Sequence, residues 1–236
     1  MLLDDFPTTD EIKTLFAEEI AAAGGVVSDT FDDRRRLFTR SVLPRLREVA
    51  TGDKVQGGVA LMATEGEVSV HPYVYRLVCK NGAIVAHAIQ TRQIEGCDFV
   101  TSDEVIGAVR EAIRECCADD AFSAAAEQMR SARQTQADFA LALLPHLARL
   151  SPSVAAQVAG PILERFSQGS DRSRFGLMNA VTSVARDTAD PEVRWRLEEM
   201  GGGICAGLIP VLDPEDGVGR IVATEASPRR SVVQVG

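Results

Sequence analysis

Histidine, cysteine and clustered cations are the residue types here that could carry chemistry, and residues 55–95 gather all of them. This block reads VQGGVALMATEGEVSVHPYVYRLVCKNGAIVAHAIQTRQIE. His71 and His87 fall on neighbouring candidate strands, where with Cys79 or Asp98 they could frame a metal or catalytic site. The spacing does not demand one, because strand residues two apart are same-face neighbours in any strand, so hydrogen-bonded strand histidines are the simpler reading. His146 follows Pro145 in an apolar helical stretch and reads as structural. Gly57-Gly58 and the 201–203 glycine run lack the Lys-Ser/Thr that completes a phosphate loop. Paired acids sit in first turns of candidate helices, where capping and the helix dipole explain them. No catalytic residue, metal site or cofactor is expected from these patterns, and an enzyme using the His71/His87 face ranks third among the function classes.

The cations are more informative. The chain carries a net charge of −9, which argues against a generic nucleic-acid binder. Yet residues 34–92 hold ten basic residues against four acids: Arg34, Arg35, Arg36, Arg40, Arg45, Arg47, Lys54, Arg76, Lys80 and Arg92 against Glu48, Asp53, Glu65 and Glu67. Tyr73 and Tyr75 interleave with these cations. Tyrosine rings stack on bases without reading sequence, and cations follow phosphates. These twelve residues, ten cations and two tyrosines, are the candidate nucleic-acid contacts. The leading function class is therefore a non-enzymatic protein that binds, and anneals, single-stranded nucleic acid. The second is a protein-interaction or self-assembly module.

The elements that must position these residues follow from periodicity. Residues 8–23 form a capped helix with Ile12, Leu15, Phe16 and Ile20 on one stripe. Residues 26–33 read as a connector. Residues 34–50 read as a helix kinked at Pro44, placing Arg36, Arg40 and Arg47 within about 40° of one another as a basic ridge. Then comes a three-stranded meander: 55–64, a Glu65-Gly66 turn, 67–79, a Lys80-Asn81-Gly82 turn, and 83–95. Val68, Val70, Val74 and Val78 make its core face, and Ser69, His71, Tyr73, Tyr75 and Leu77 the other. Pro72 implies an edge or bulge. Helices follow from Ser102, with a break at Asp119-Asp120, then at 121–134, 136–149, 152–167, 173–187 and 191–200, where the 201–203 glycines stop the last one. The fold class is α+β: an antiparallel meander flanked by helices, with a mainly helical C-terminal half. The expected division is an α+β domain at 1–134, a helical region at 135–212 packed on it, and a tail at 213–236.

Hydrophobic residues at 45% supply a sizeable core. No apolar run reaches the roughly 18 residues of a membrane span. The acidic N-terminus lacks signal-peptide character. Five irregularly spaced cysteines, with adjacent Cys116 and Cys117 about 100° apart on a helix, suit reduced thiols and a cytoplasmic location.

Two segments carry a resemblance. VQGGVALMATEGEVSVHPYVYRLVCKNGAIV is similar to a segment of a phage- and plasmid-associated family of unknown function, whose members carry runs of the form NSE, V.P and RLVC.NG. SRFGLMNAVTSVAR resembles that family's C-terminal region. The likeness covers about residues 50–200 with gaps. LVCKNG is its most specific part, and Ala63-Thr64-Glu65 departs from Asn-Ser-Glu. The resemblance implies a mobile-element context and no catalytic residues. In element order the chain also resembles the core of single-strand annealing proteins, which assemble into rings or filaments around a basic groove. That likeness implies a homo-oligomer that binds single strands.

Overall fold

The computed structural model describes residues 6–85, 91–210 and 221–222. The fold is α+β, with an antiparallel sheet in the N-terminal half and a largely helical C-terminal half. Helix α1 (Thr9–Ala22) begins at Thr8, whose hydroxyl accepts from the Glu11 amide while the Glu11 carboxylate accepts from the Thr8 amide. Strands β1 (Val26–Asp32), β2 (Leu37–Val42), β3 (Leu46–Ala50), β4 (Asp53–Thr64), β5 (Glu67–Arg76), β6 (Asn81–Ile84) and β7 (Arg92–Glu95) follow. The order in the sheet is β1-β2-β4-β5-β6, with β3 on the first half of β4 and β7 on the first half of β5. Helices α2 (Ser102–Cys116), α3 (Asp119–Gln134), α4 (Phe139–Leu147), α5 (Pro152–Gln168), α6 (Arg174–Arg186) and α7 (Pro191–Ala206) complete the main body. Ile209–Pro210 pairs with Ile221–Val222 as two short strands, and the rest of the expected 213–236 tail lies outside the described residues.

The largest departure from the sequence reading is at residues 34–50, which form strands β2 and β3 instead of a kinked helix. Arg34 turns the chain at φ 71°, and Asp33 clamps the turn by accepting from the Arg35 and Arg36 amides. Leu37, Thr39 and Ser41 then alternate with Phe38, Arg40 and Val42, a period of two that a helical wheel misreads. Pro44 falls between the strands, where its missing N–H costs nothing. The basic ridge therefore does not exist. Residues 26–33, expected as a connector, supply edge strand β1. The second turn also shifts: residues 77–80 make it, with Lys80 at φ 51°, and Asn81-Gly82 opens β6. Pro72 lies opposite Val59 of β4 in a regular stretch of central strand β5; on its other side the Val85 amide donates to the Pro72 carbonyl, and the Val85 carbonyl accepts from the Thr91 hydroxyl in place of the N–H that proline lacks.

Both faces of the sheet are covered. On the first face Leu37, Val59, Leu61, Val68 and Val70 pack on α1 and α2 through Ile12, Phe16, Val105, Val109 and Ile113. The same face continues through Val55 and Val74 onto Phe122 and Met129 of α3 and Phe175 of α6. Val68, Val70 and Val74 are core as the alternation predicts, whereas Val78 is exposed in the turn. On the second face Phe38, Ala60, Tyr73 and Ile84 close around Trp195 of α7. Helices α4 to α7 pack a further core on one another through Leu143, Ile162, Leu177, Val181 and Leu197.

The glycines at 201–203 do not stop α7. The helix runs on to Ala206 and ends at Gly207 in the left-handed conformation (φ 73°). Absence of a side chain lets α7 lie against its neighbours: a Cβ on Gly202 would collide with the carbonyl oxygen of Ile84, on Gly201 with Thr182, and on Gly203 with His146. This gives a prediction whose sign discriminates. Helix propensity alone would make Gly202→Ala stabilising by about 1 kcal/mol, whereas the contact with β6 predicts a loss of about 1–3 kcal/mol from overpacking. Urea unfolding followed by circular dichroism distinguishes the two, and a gain in stability would refute this close approach of α7 to the sheet.

Candidate anion-binding cleft

An open cleft of about 880 Å³ lies between the 77–80 turn, one face of α6, and the C-terminal turns of α3 and α5. Five cations from different segments line it: Arg76 at the end of β5, Lys80 in the turn, Arg133 of α3, Arg165 of α5 and Arg186 of α6. Arg76 makes a two-pronged pair with Asp53 (Nε–Oδ1 2.8 Å, Nη2–Oδ2 2.6 Å) and donates Nη1 to Cys79 Sγ at 2.9 Å. Arg133 reaches the same Asp53 at 3.4 Å, and both guanidinium groups lie over the Phe175 ring, at 5.2 and 5.0 Å. Burial works against the Arg76 charge, but Asp53 more than offsets it and its pKa is raised. Across the cleft Asp187 holds Arg186 (2.9 Å) and Arg165 (2.8 Å). Arg186 lowers the Asp187 pKa by hydrogen bond and charge, and Arg165 adds to this, so the carboxylate stays ionised below its usual range. The Lys80 ammonium has no ion pair among the described residues. With Asp53, Asp171 and Asp187 counted against the five cations, the cleft keeps a surplus of two positive charges in a chain of net charge −9.

The turn is tied to α6. Asn81 Nδ2 donates to Thr182 Oγ1 at 2.5 Å, and Arg186 Nη1 donates to the Cys79 carbonyl at 2.8 Å. The backbone of the turn and the helix face are thus held in one frame. A local ligand would meet positions fixed by these two bonds, the first of them buried.

Of the sequence-selected residues, Arg76 and Lys80 reach this cleft. The others are dispersed. Arg34 and Arg35 lie in the β1–β2 turn, Arg35 4.0 Å from Glu65, and Arg36 pairs with Asp33 (2.8 Å) and Glu192 (3.5 Å). Arg45 donates to the Cys117 carbonyl, Arg47 pairs with Asp119 at 2.9 Å over the Phe122 ring, and Arg92 pairs with Glu115 at 2.8 Å. Lys54 is exposed on β4. Arg40 is 2% exposed, bonded to Glu198 of α7 at 2.6 Å and to Asp29 at 3.3 Å, so it cannot touch a phosphate. Tyr73 is 3% exposed, lies across Gly82, and burial pushes its pKa up, so its ring is closed to a base. Tyr75 is half-buried against the Phe38–Trp195 cluster and does not line the cleft. Arg133, Arg165 and Arg186 escaped the sequence reading. Each sits in the last turn of its helix, where the dipole already accounts for a cation.

His71 and His146 have different neighbours. His71 sits on the second sheet face beside Trp195, with Thr91 at 3.4 Å and Glu199 at 4.0 Å. His146 contacts the Leu208 carbonyl at 3.1 Å, and His87 lies outside the described residues. Among the described residues no group of three His, Cys, Asp or Glu side chains is placed to hold a metal, and no helix is long and apolar enough to cross a membrane. The cysteines are unbridged, and burial pushes the thiols of Cys117 and Cys205 up to about 11 and about 12. No protein-family model matches this chain, and no curated protein or solved structure matches it.

Proposed function

We propose that the protein binds the sugar–phosphate backbone of single-stranded nucleic acid in this cleft, without performing chemistry on it. The observation that carries the reading is the convergence of five cations from five segments on one open cleft of an acidic chain. Guanidinium groups pre-oriented by Asp53 and Asp187 present their remaining N–H donors to an anion. The two segments that resemble the phage- and plasmid-associated family, LVCKNG and SRFGLMNAVTSVAR, meet along this cleft through Asn81–Thr182 and Arg186–Cys79. That meeting supports the choice of site. A mobile-element protein that handles single strands in the cytoplasm is the corresponding role.

The test is fluorescence anisotropy of a labelled oligo(dT) at low salt. Binding is expected to be saturable. With about three phosphates neutralised, log K should fall against log salt with a slope of about −2. Lys80→Glu should weaken binding by about tenfold or more, while Arg35→Ala, outside the cleft, should leave it unchanged. Absence of binding at low salt, or indifference to Lys80→Glu, ends the proposal.

A second reading, self-assembly, is favoured by β1. It is an edge strand, and Val26, Val27 and Phe31 are exposed on it. Light-scattering mass with and without oligonucleotide reads out both proposals.

A further inference from the structure

A second cavity has a different chemistry and does not depend on the nucleic-acid reading. It measures about 310 Å³ and lies on the second sheet face, beyond Trp195, where α4 and α7 roof β5. Its floor is the alternate row Glu67, Ser69 and His71 of β5, with Glu67 accepting from Gln93 Nε2 at 3.2 Å. Its roof is one face of α7, Arg196 and Glu199, with His146 of α4 and Arg149 of the turn that follows α4. At about 30 Å³ per molecule the cavity has room for about ten waters, and its size falls at the lower end of small-ligand sites, about 300–1,000 Å³.

The charges in this cavity are sorted. A neighbouring cavity of about 390 Å³, near the α4–α5 junction, shares Arg149, Leu150 and Arg196 with it, but not Glu67 or Glu199. Arg149 and Arg196 therefore line both cavities, the second of which also holds Asp190 and Glu192, whereas Glu67 and Glu199 line the first alone. Arg196 is shared with Glu192 at 3.0 Å. Arg149 has no side-chain hydrogen bond or ion pair among the described residues, its field reaching Glu199. Glu199 lies 4.0 Å from His71. Burial pushes its pKa up, while the charges of Arg149 and Arg196 pull it down. Half-buried carboxyls that line a cavity gain from an arriving cation, and an exposed arginine without an ion pair among the described residues gains from an arriving anion.

We infer that this cavity is a binding site for a small zwitterion of the free amino-acid type, with its carboxylate on Arg149 and Arg196 and its ammonium on Glu199 and Glu67. A dianionic phosphate is disfavoured, because the inner carboxyls would repel it. Ser69, Gln93 and His71 supply further hydrogen-bonding groups along the floor, and Met62, Leu150 and Met200 supply apolar wall.

Isothermal titration calorimetry of the full chain with single L-amino acids, spanning apolar, polar and charged side chains, tests this. Each is paired with the amine lacking its carboxylate and the acid lacking its amine. At least one amino acid should bind saturably, and its two truncated partners should bind about tenfold more weakly or not at all. Arg149→Ala and Glu199→Gln should each weaken binding by about tenfold or more. Arg149 is exposed and Glu199 is only partly buried, so both variants should keep the native circular dichroism spectrum. The inference is overturned if no amino acid binds saturably, if the acid lacking the amine binds equally well, or if Arg149→Ala binds like the parent.

Discussion

Trp195→Ala should destabilise the protein by about 3–5 kcal/mol, the range for removing a large buried aromatic. Trp195 is 2% exposed and is the keystone between α7 and the second sheet face. Its ring stands 5.9 Å from Phe38 and 5.6 Å from His71, with the Arg40 guanidinium 5.7 Å over it. Three neighbours from two strands therefore lose their packing partner at once. The cavity left could not collapse easily, because glycines 201–203 already bring the helix backbone close to Ile84 and Thr182. Equilibrium urea unfolding by circular dichroism measures the loss. As Trp195 is the only tryptophan, intrinsic fluorescence of the parent reports this face independently. A loss under about 1 kcal/mol would mean that α7 does not depend on the sheet for its position.

Glu198→Ala should cost a comparable amount, about 3–5 kcal/mol, for a different reason. Glu198 is 2% exposed and accepts from Arg40 Nε at 2.6 Å and from Arg194 Nε at 3.1 Å, and Arg194 also pairs with Asp29 at 2.8 Å. Burial pushes the Glu198 pKa up, and the two guanidinium charges pull it back. Removing the carboxylate leaves the Arg40 charge buried with Asp29 as its remaining partner, 3.3 Å away and partly exposed. The penalty is thus the stranded cation and not the worth of the pair itself. The double change Arg40→Met with Glu198→Leu separates these accounts. It should recover most of the stability lost in Glu198→Ala, because no unpaired charge remains. If the double variant is instead as unstable as the single one, the network stabilises the fold by its own attraction and this explanation fails.

These two residues mark the limit of what could be read from sequence. Arg40 looked like a phosphate contact because a helical wheel put it beside Arg36 and Arg47. Its strand places it on the face that α7 covers, and its true partner is 158 residues away in sequence. Tyr73 was legible as lying opposite the valine face, since alternation of period two is local. Whether that face was open or covered depended on Trp195 and Gly202, which alternation along β5 does not report. The cleft shows the same division. Arg76 and Lys80 were visible beside the LVCKNG turn, whereas Arg133, Arg165 and Arg186 looked like ordinary helix-terminal cations.

The sequence by itself determined the α+β class, the capped start of α1, the β4–β5 hairpin with its Glu65-Gly66 turn, and which β5 residues share a face. All of these follow from contacts between residues a few positions apart, through hydrogen-bond geometry and side-chain period. Only the tertiary structure decided that residues 34–50 are strands, that the sheet is buried on both faces, and that five cations spread from Arg76 to Arg186 surround one cleft. Strand pairing and helix docking join residues distant in the chain, and short runs such as 34–50 fit either period until a neighbouring strand supplies the hydrogen bonds that decide between them.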